Sequence, residues 1–193
     1  RYPDGGTTVL NTAFYTQTNI NLFKKLLLTT GVRYSINSLS ALFNDTSIIN
    51  LPFNQITLHN RSLSGSIQFI FDLNNIISFN GSISNGFRNP NTDDVGKIFS
   101  KNDLSVVIPT NKLAPEKSTT IESGIKINFQ NKFSFQAQLF QTNIKNAIEK
   151  REANLNGIDS IFYDGEMMKI IMNTNIGKAK IRGVSFAYQF NIT

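Results

Sequence analysis

The chain has 193 residues, 40% hydrophobic and 17% charged, with a formal net charge of +6 and no cysteine. That length can bury one core, and the lack of cysteine excludes a disulfide framework, a thiolate zinc site and a cysteine nucleophile. A single histidine, His59, excludes multi-histidine metal centres and histidine-based triads built within the chain.

The first clear strand follows a short connection at 21–24. Leu26, Leu28, Val32, Tyr34 and Ile36 alternate there with Thr29, Arg33, Ser35 and Asn37. A long polar stretch of about 37–60 comes next, then a strand in which Leu63, Ile67, Phe69 and Phe71 alternate with Ser62, Ser64, Ser66 and Gln68. A brief turn at Asn74-Asn75 leads to a strand over about 75–85 and a second long loop, 86–117. Ile121, Ile125, Ile127 and Phe129 then alternate with Thr120, Glu122, Lys126 and Asn128. Across a short Gln130-Asn131 turn, Phe133, Phe135, Ala137 and Leu139 alternate with Ser134, Gln136 and Gln138. After a third long loop, 149–170, the last strand sets Val184, Phe186, Tyr188, Phe190 and Ile192 against Ser185, Ala187, Gln189, Asn191 and Thr193.

Strands that repeat this alternation over such lengths need apolar matter on one side and polar matter on the other. Short turns at one end and long loops at the other are the pattern of an outer-membrane barrel. The strand lengths agree, because a tilted membrane strand takes ~9–11 residues against ~5–6 in ordinary sheets. Phe23, Phe71, Phe129, Phe133 and Phe190 all lie beside short turns or the chain end, as an aromatic girdle would. The expected fold is all-β: an antiparallel meander of about seven long strands, one partial domain over 1–193, an incomplete segment of a large transmembrane β-barrel. Seven strands cannot close a wide barrel, and Arg1 has the look of an internal start, so both flanks are expected to lie outside this sequence. The rival is a soluble secreted β-sandwich, an adhesion or carbohydrate-binding module, whose apolar faces would pack against each other in two sheets. The basic residues are dispersed rather than striped, which argues against a nucleic-acid partner.

Four motifs give the chain a family likeness. They are Thr30-Gly31-Val32-Arg33-Tyr34; Gly86-Phe87-Arg88-Asn89-Pro90; Asn111-Lys112-Leu113-Ala114-Pro115-Glu116-Lys117-Ser118, with Glu122-Ser123-Gly124 after it; and Asn175-Ile176-Gly177-Lys178-Ala179-Lys180-Ile181-Arg182-Gly183-Val184. In this order and across nearly the whole chain they resemble the C-terminal half of TonB-dependent outer-membrane receptors. The family often has Ala at the place of Asn89, Lys at that of Ala114 and Glu at that of Ser185. The resemblance implies a barrel of about 22 strands with a plugged lumen, set in the outer membrane of a Gram-negative bacterium. It also implies active uptake of a scarce nutrient, driven by a TonB-type energy-transducing protein that acts through a plug absent from this sequence. Outer-membrane lipid is the implied surrounding, and a ferric siderophore or haem the implied ligand. The stretch 91–99 looks like receptors of the haem/haemoglobin type, yet residues 91–110 contain no histidine to ligate haem iron.

Arg88 and Glu116 occupy the two shoulders of the second loop. If strands 75–85 and 119–129 are neighbours, the two residues can meet as a clamp, with Pro90 and Pro115 at strand ends where a missing N–H costs nothing. Ligand contact is expected within 88–112, from Arg88, Asn89, Asp93, Asp94, Lys97 and Asn111. Asp93, Asp94 and Asp103 have the chemistry to hold calcium, but loop acids are more often solvated, and no metal, cofactor or catalytic residue is expected.

Overall fold

The computed structural model describes residues 2–45, 49–101, 103–129 and 132–191. The expected turn at Gln130-Asn131, and Arg1, Ile192 and Thr193, lie outside the described residues. In chain order the elements are β1 (Thr7–Leu22), β2 (Leu26–Leu42), β3 (Gln55–Asp72), β4 (Ile77–Arg88), α1 (Thr92–Val95), β5 (Phe99–Lys101), β6 (Ser105–Ile108), β7 (Glu116–Phe129), β8 (Phe133–Glu152), β9 (Ser160–Tyr163) and β10 (Glu166–Phe190). Seven of these are long. They run β1-β2-β3-β4-β7-β8-β10 as one open sheet, each antiparallel to the next. The three short strands belong to the long connections and decorate the far end of β10, where β6 adds in parallel and β9 antiparallel.

Register decides what each face of the sheet carries, because side chains alternate and a slip of one residue would exchange the faces. Ile67 pairs with Ile83, and Ile83 with Ile121. Nearer the short turns, Ile127, Phe135 and Tyr188 stand abreast, and beyond them Phe129, Phe133 and Phe190. The Phe133 and Phe190 rings are 5.0 Å apart. Every alternating apolar set therefore falls on one continuous face. That face is uncovered: Phe14 is 68% exposed, Ile67 53%, Phe186 67% and Phe190 64%. A sandwich would bury these side chains against a second sheet, and among the described residues no second sheet covers them.

The opposite face is polar and stitched across strands. Glu122 accepts from Ser82 Oγ at 3.2 Å and from Gln138 Nε2 at 3.1 Å, and the Thr120 and Thr142 hydroxyls lie 2.9 Å apart. Such cross-strand pairs give the side chains of this face hydrogen-bond partners.

At the long-loop end the pattern inverts. β2 and β3 extend further into the first long connection than the sequence pattern suggests, β2 to Leu42 and β3 from Gln55. On these last rungs the formerly polar face presents Leu39, Ala41, Ile56 and Leu58, all buried. They pack with Val95, Ile98, Val106 and Ile108 of the second loop, and with Leu155, Met168 and Ile170 of the third connection and β10. The buried core of the molecule thus belongs to the loops, and the strands supply only its floor.

Between β8 and β10 the register shifts at Gly177, which pairs with Ala147. A Cβ on Gly177 would stand 2.6 Å from the Ala147 Cβ and 2.5 Å from Glu149 Oε1, so the bulge requires glycine here.

Candidate functional site at the loop end

Arg88 ends β4 and Glu116 begins β7, directly opposite in register. The Arg88 guanidinium reaches both ways: Nε donates to Glu116 Oε2 at 2.6 Å and Nη1 to Asp94 Oδ2 at 2.7 Å. Glu116 Oε1 accepts the backbone N–H of Ile148 at 2.7 Å, which ties in β8. Asp94 is brought within reach by local chain chemistry. Asn91 caps α1, accepting the Asp94 N–H at 2.9 Å, while the Asp94 carboxylate accepts the Asn91 N–H at 3.0 Å, a reciprocal capping box. Pro90 and Pro115 stand just past the two strand ends, so the β4–β7 ladder stops where its last ion pair forms.

Two asparagines of β10 hold the same loop from the other side. The Asn175 amide donates to the carbonyls of Ala114 and Asn146, each at 2.8 Å, and its Oδ1 accepts the Ala114 N–H at 2.7 Å. Asn173 Nδ2 donates to the Asp94 carbonyl at 2.7 Å, and the Thr110 N–H reaches the Val95 carbonyl at 3.0 Å. Neither asparagine stood out in the sequence as a site residue. Asn175 opens the motif that runs from Asn175 to Val184, and Asn173 carries no pattern at all.

The candidate ligand residues separate into two groups. Arg88 and Asp94 are engaged with each other and with the loop scaffold. Asp93, Lys97 and Asn111 lie toward the surface, Asp93 with 57% of its side chain exposed. Lys97 Nζ is 3.8 Å from Asp93 and lies over the rings of Tyr2 at 5.2 Å and Phe99 at 5.4 Å. Lys150 Nζ caps the same Phe99 ring at 4.7 Å. Contact with Tyr2 first, and then with Asp93, raises the Lys97 ammonium above the ordinary lysine value. Asn89 is half-buried and Pro90 buried. The stretch 105–110 is buried throughout and forms part of the loop core.

Asp103 is hydrogen-bonded by the Ser105 hydroxyl, which holds its carboxyl below the usual carboxylate range, and Lys101 stands 4.0 Å away. Among the described residues, no three His, Cys, Asp or Glu side chains come together as a metal cluster, so Asp93, Asp94 and Asp103 do not form one. His59 sits on β3 with Nδ1 3.1 Å from Ser38 Oγ, apart from the loop.

The third connection contains two tight reversals. Asn156-Gly157 (φ +52° and +88°) closes the Leu155–Ile158 bridge, and Asp164-Gly165 (φ +55° and +86°) joins β9 to β10. Asn-Gly and Asp-Gly are strong short-range hairpin signals, and they were available in the sequence.

The family model for the TonB dependent receptor-like β-barrel matches residues 1–193. Among solved structures, the chain is similar to a double mutant of the Serratia marcescens hemophore receptor HasR, in complex with its hemophore HasA and heme. The TM-score is 0.71 at 15% identity, covering 94% of this chain and 32% of that one. It is similar to the siderophore receptor PiuA from Acinetobacter baumannii (TM-score 0.71, 19% identity, 97% of this chain and 24% of that one). It is also similar to the copper transporter OprC (TM-score 0.71, 15% identity, 97% and 27%). The chain therefore spans about a third or less of the length of these receptors. Comparison with curated protein sequences found no match. Matched along its whole length and folded as an open section of barrel wall, the chain belongs to the TonB-dependent receptor-like β-barrel family, a family of receptors and transporters rather than enzymes.

Proposed function

We propose that this chain forms part of the wall and three long loops of an outer-membrane transporter that actively imports a scarce, iron-bearing nutrient. The observation that carries the reading is the opposed polarity of one sheet. A continuous apolar face lies uncovered, while the long loops gather over the other face at one end only. In such a transporter the apolar face meets outer-membrane lipid and the long loops face the outside. A TonB-type partner would act through a plug that these residues do not include.

The Arg88–Glu116–Asp94 cluster is best read as a structural clamp, together with Pro90 and Pro115. Both acids are occupied by one guanidinium and by backbone N–H groups, which leaves little free for a ligand. Ligand contact then falls to the exposed Asp93 and Asn111 and the half-buried Lys97, with the exposed Lys150 near the same Phe99 ring. An ammonium-bearing surface with aromatic rings beneath it suits an anionic ferric chelate. Haem held through an iron–histidine bond is less suited, since no histidine lies in 91–110. The neighbours named for heme, siderophore and copper keep the ligand class broad.

The test uses the intact receptor in its own membrane. Outer-membrane fractions should contain it, and a ferric siderophore should bind and be depleted from the medium. Lys97→Glu should weaken binding about tenfold or more by reversing a contact charge. Recovery of the receptor in the soluble fraction, or haem binding unchanged by Lys97→Glu alongside no siderophore binding, would contradict the reading.

A further inference from the structure

The uncovered face is not apolar along its full height. At its long-loop end the register sets Lys117 opposite Lys145, and Lys145 opposite Lys178, three ammonium-bearing side chains abreast on β7, β8 and β10. Neighbouring strands lie ~4.8 Å apart, so the row is about 10 Å wide. Like charges directly opposite one another destabilise a sheet, and no acid relieves these: none of the three forms an ion pair among the described residues. Lys117 also faces Phe87, the last apolar residue of this face on β4. Arg61 stands in the same rim, opposite Ile36. A groove of about 570 Å³ runs between Arg61, Leu63, Phe87, Lys117 and Lys145. Below the row come Lys180, opposite Asn143, and Arg182, whose Nε donates to Gln141 at 2.8 Å. A second, more apolar groove of about 680 Å³ opens there, lined by Ile121, Leu139, Arg182 and Val184 among others. By register, no Asp or Glu among the described residues lies on this face from the short turns up to the lysine row.

A basic row without counter-charge, placed at the edge of an apolar wall and above a greasy groove, fits a molecule that is anionic at one end and hydrocarbon at the other. We propose that this rim binds a phosphate-bearing lipid of the surrounding leaflet. The headgroup phosphates lie on Lys117, Lys145 and Lys178, and an acyl chain lies in the groove beside Leu139 and Val184. The ammonium row supplies charge-assisted hydrogen bonds to phosphate oxygens, and the headgroup removes the repulsion the row otherwise carries. The site rests on the reading of this face as lipid-facing, and it lies on the opposite side of the sheet from the loop core and its clamp.

The experiment uses the full-length receptor in detergent and native mass spectrometry, with diphosphoryl lipid A, its dephosphorylated counterpart and phosphatidylcholine as probes. The wild type should retain diphosphoryl lipid A at least tenfold better than either other lipid. The triple variant Lys117→Gln, Lys145→Gln, Lys178→Gln should lose that preference, whereas Lys24→Gln, at the short-turn end, should keep it. Heat-modifiable gel mobility checks that each variant is a folded barrel. Single substitutions should each lower retention severalfold if the triple variant does not fold. Equal retention of lipid A by wild type and the triple variant would overturn the site. Competition by millimolar inorganic phosphate as strong as that by the lipid would make it a free-anion site instead. Fractionation separates the two layers of the reading: a receptor found in the outer membrane but indifferent to lipid phosphate loses only the rim.

Discussion

The wall and the loop end use one set of strands in opposite senses. Along β2 Leu26, Leu28, Val32, Tyr34 and Ile36 face outward, and past Asn37 the buried apolar residues Leu39 and Ala41 face the other way. The backbone continues without a break; the apolar phase of the alternation slips by one residue. β3 mirrors this, with Ile56 and Leu58 on the face that lower down carries Ser62, Ser64 and Ser66. Each stretch of strand answers to whatever covers its two faces. Over most of its length the outward side must be greasy, and at the loop end the inner side must be, because the second and third loops pack there. One region is an inside-out sheet and the other an ordinary hydrophobic core.

Substitutions in the two regions should have separable effects. The largest effect is expected in the loop core. Ile170→Ala, at a fully buried position, should cost about 2–5 kcal/mol locally. It should expose the 89–115 connection to limited proteolysis while the barrel itself stays folded and heat-modifiable. If the whole barrel unfolds together, the two regions are not the separate bodies described. Next comes the wall. Ile67→Arg places a charge midway along the uncovered face and should cost ~2–4 kcal/mol of folding stability in lipid. Ser66→Arg, one residue away on the polar face, should cost much less in the same denaturant titration.

A smaller loss is expected at the junction. Arg88→Ala leaves Glu116 and Asp94 without their shared donor and should cost about 1–3 kcal/mol. Faster amide exchange at Asp94 and Ile148 would report it. Arg88→Lys should restore only part, since an ammonium cannot reproduce the two-armed geometry of the guanidinium. Smallest is Gly165→Ala at φ +86°, about 1 kcal/mol, seen as faster exchange confined to the β9–β10 hairpin.

The wall was legible because its alternation depends only on which solvent each face meets, and that rule holds over many rungs. The pairing of β4 with β7 entered only as a condition for Arg88 to meet Glu116; the two strands do pair, and the side chains meet at 2.6 Å. The loop end was harder. Leu39, Ala41, Ile56 and Leu58 look like the decay of a pattern, since their phase is reversed by a core that other parts of the chain build. The run Val106-Val107-Ile108 is apolar on both sides, as a strand covered on both faces must be, yet it lies within a stretch otherwise taken as polar loop. Asp164-Gly165 and Asn156-Gly157 were usable turn signals inside what looked like one long loop. Asn173 and Asn175 had no such signal, because an asparagine that anchors a distant backbone segment is identical in sequence to one in solvent.

Which atoms touch hydrocarbon can be measured directly on an intact receptor in which any cysteine outside these 193 residues has been replaced, since the 193 residues themselves hold none. Single cysteines placed from 62 to 71 on β3 of the intact receptor, spin-labelled in bilayers, report collision with dissolved oxygen and with a water-soluble nickel chelate. A lipid-facing apolar side gives a strict period of two, with 63, 67, 69 and 71 reached by oxygen and 62, 64, 66 and 68 by nickel. The opposite phase, or no alternation at all, would contradict it.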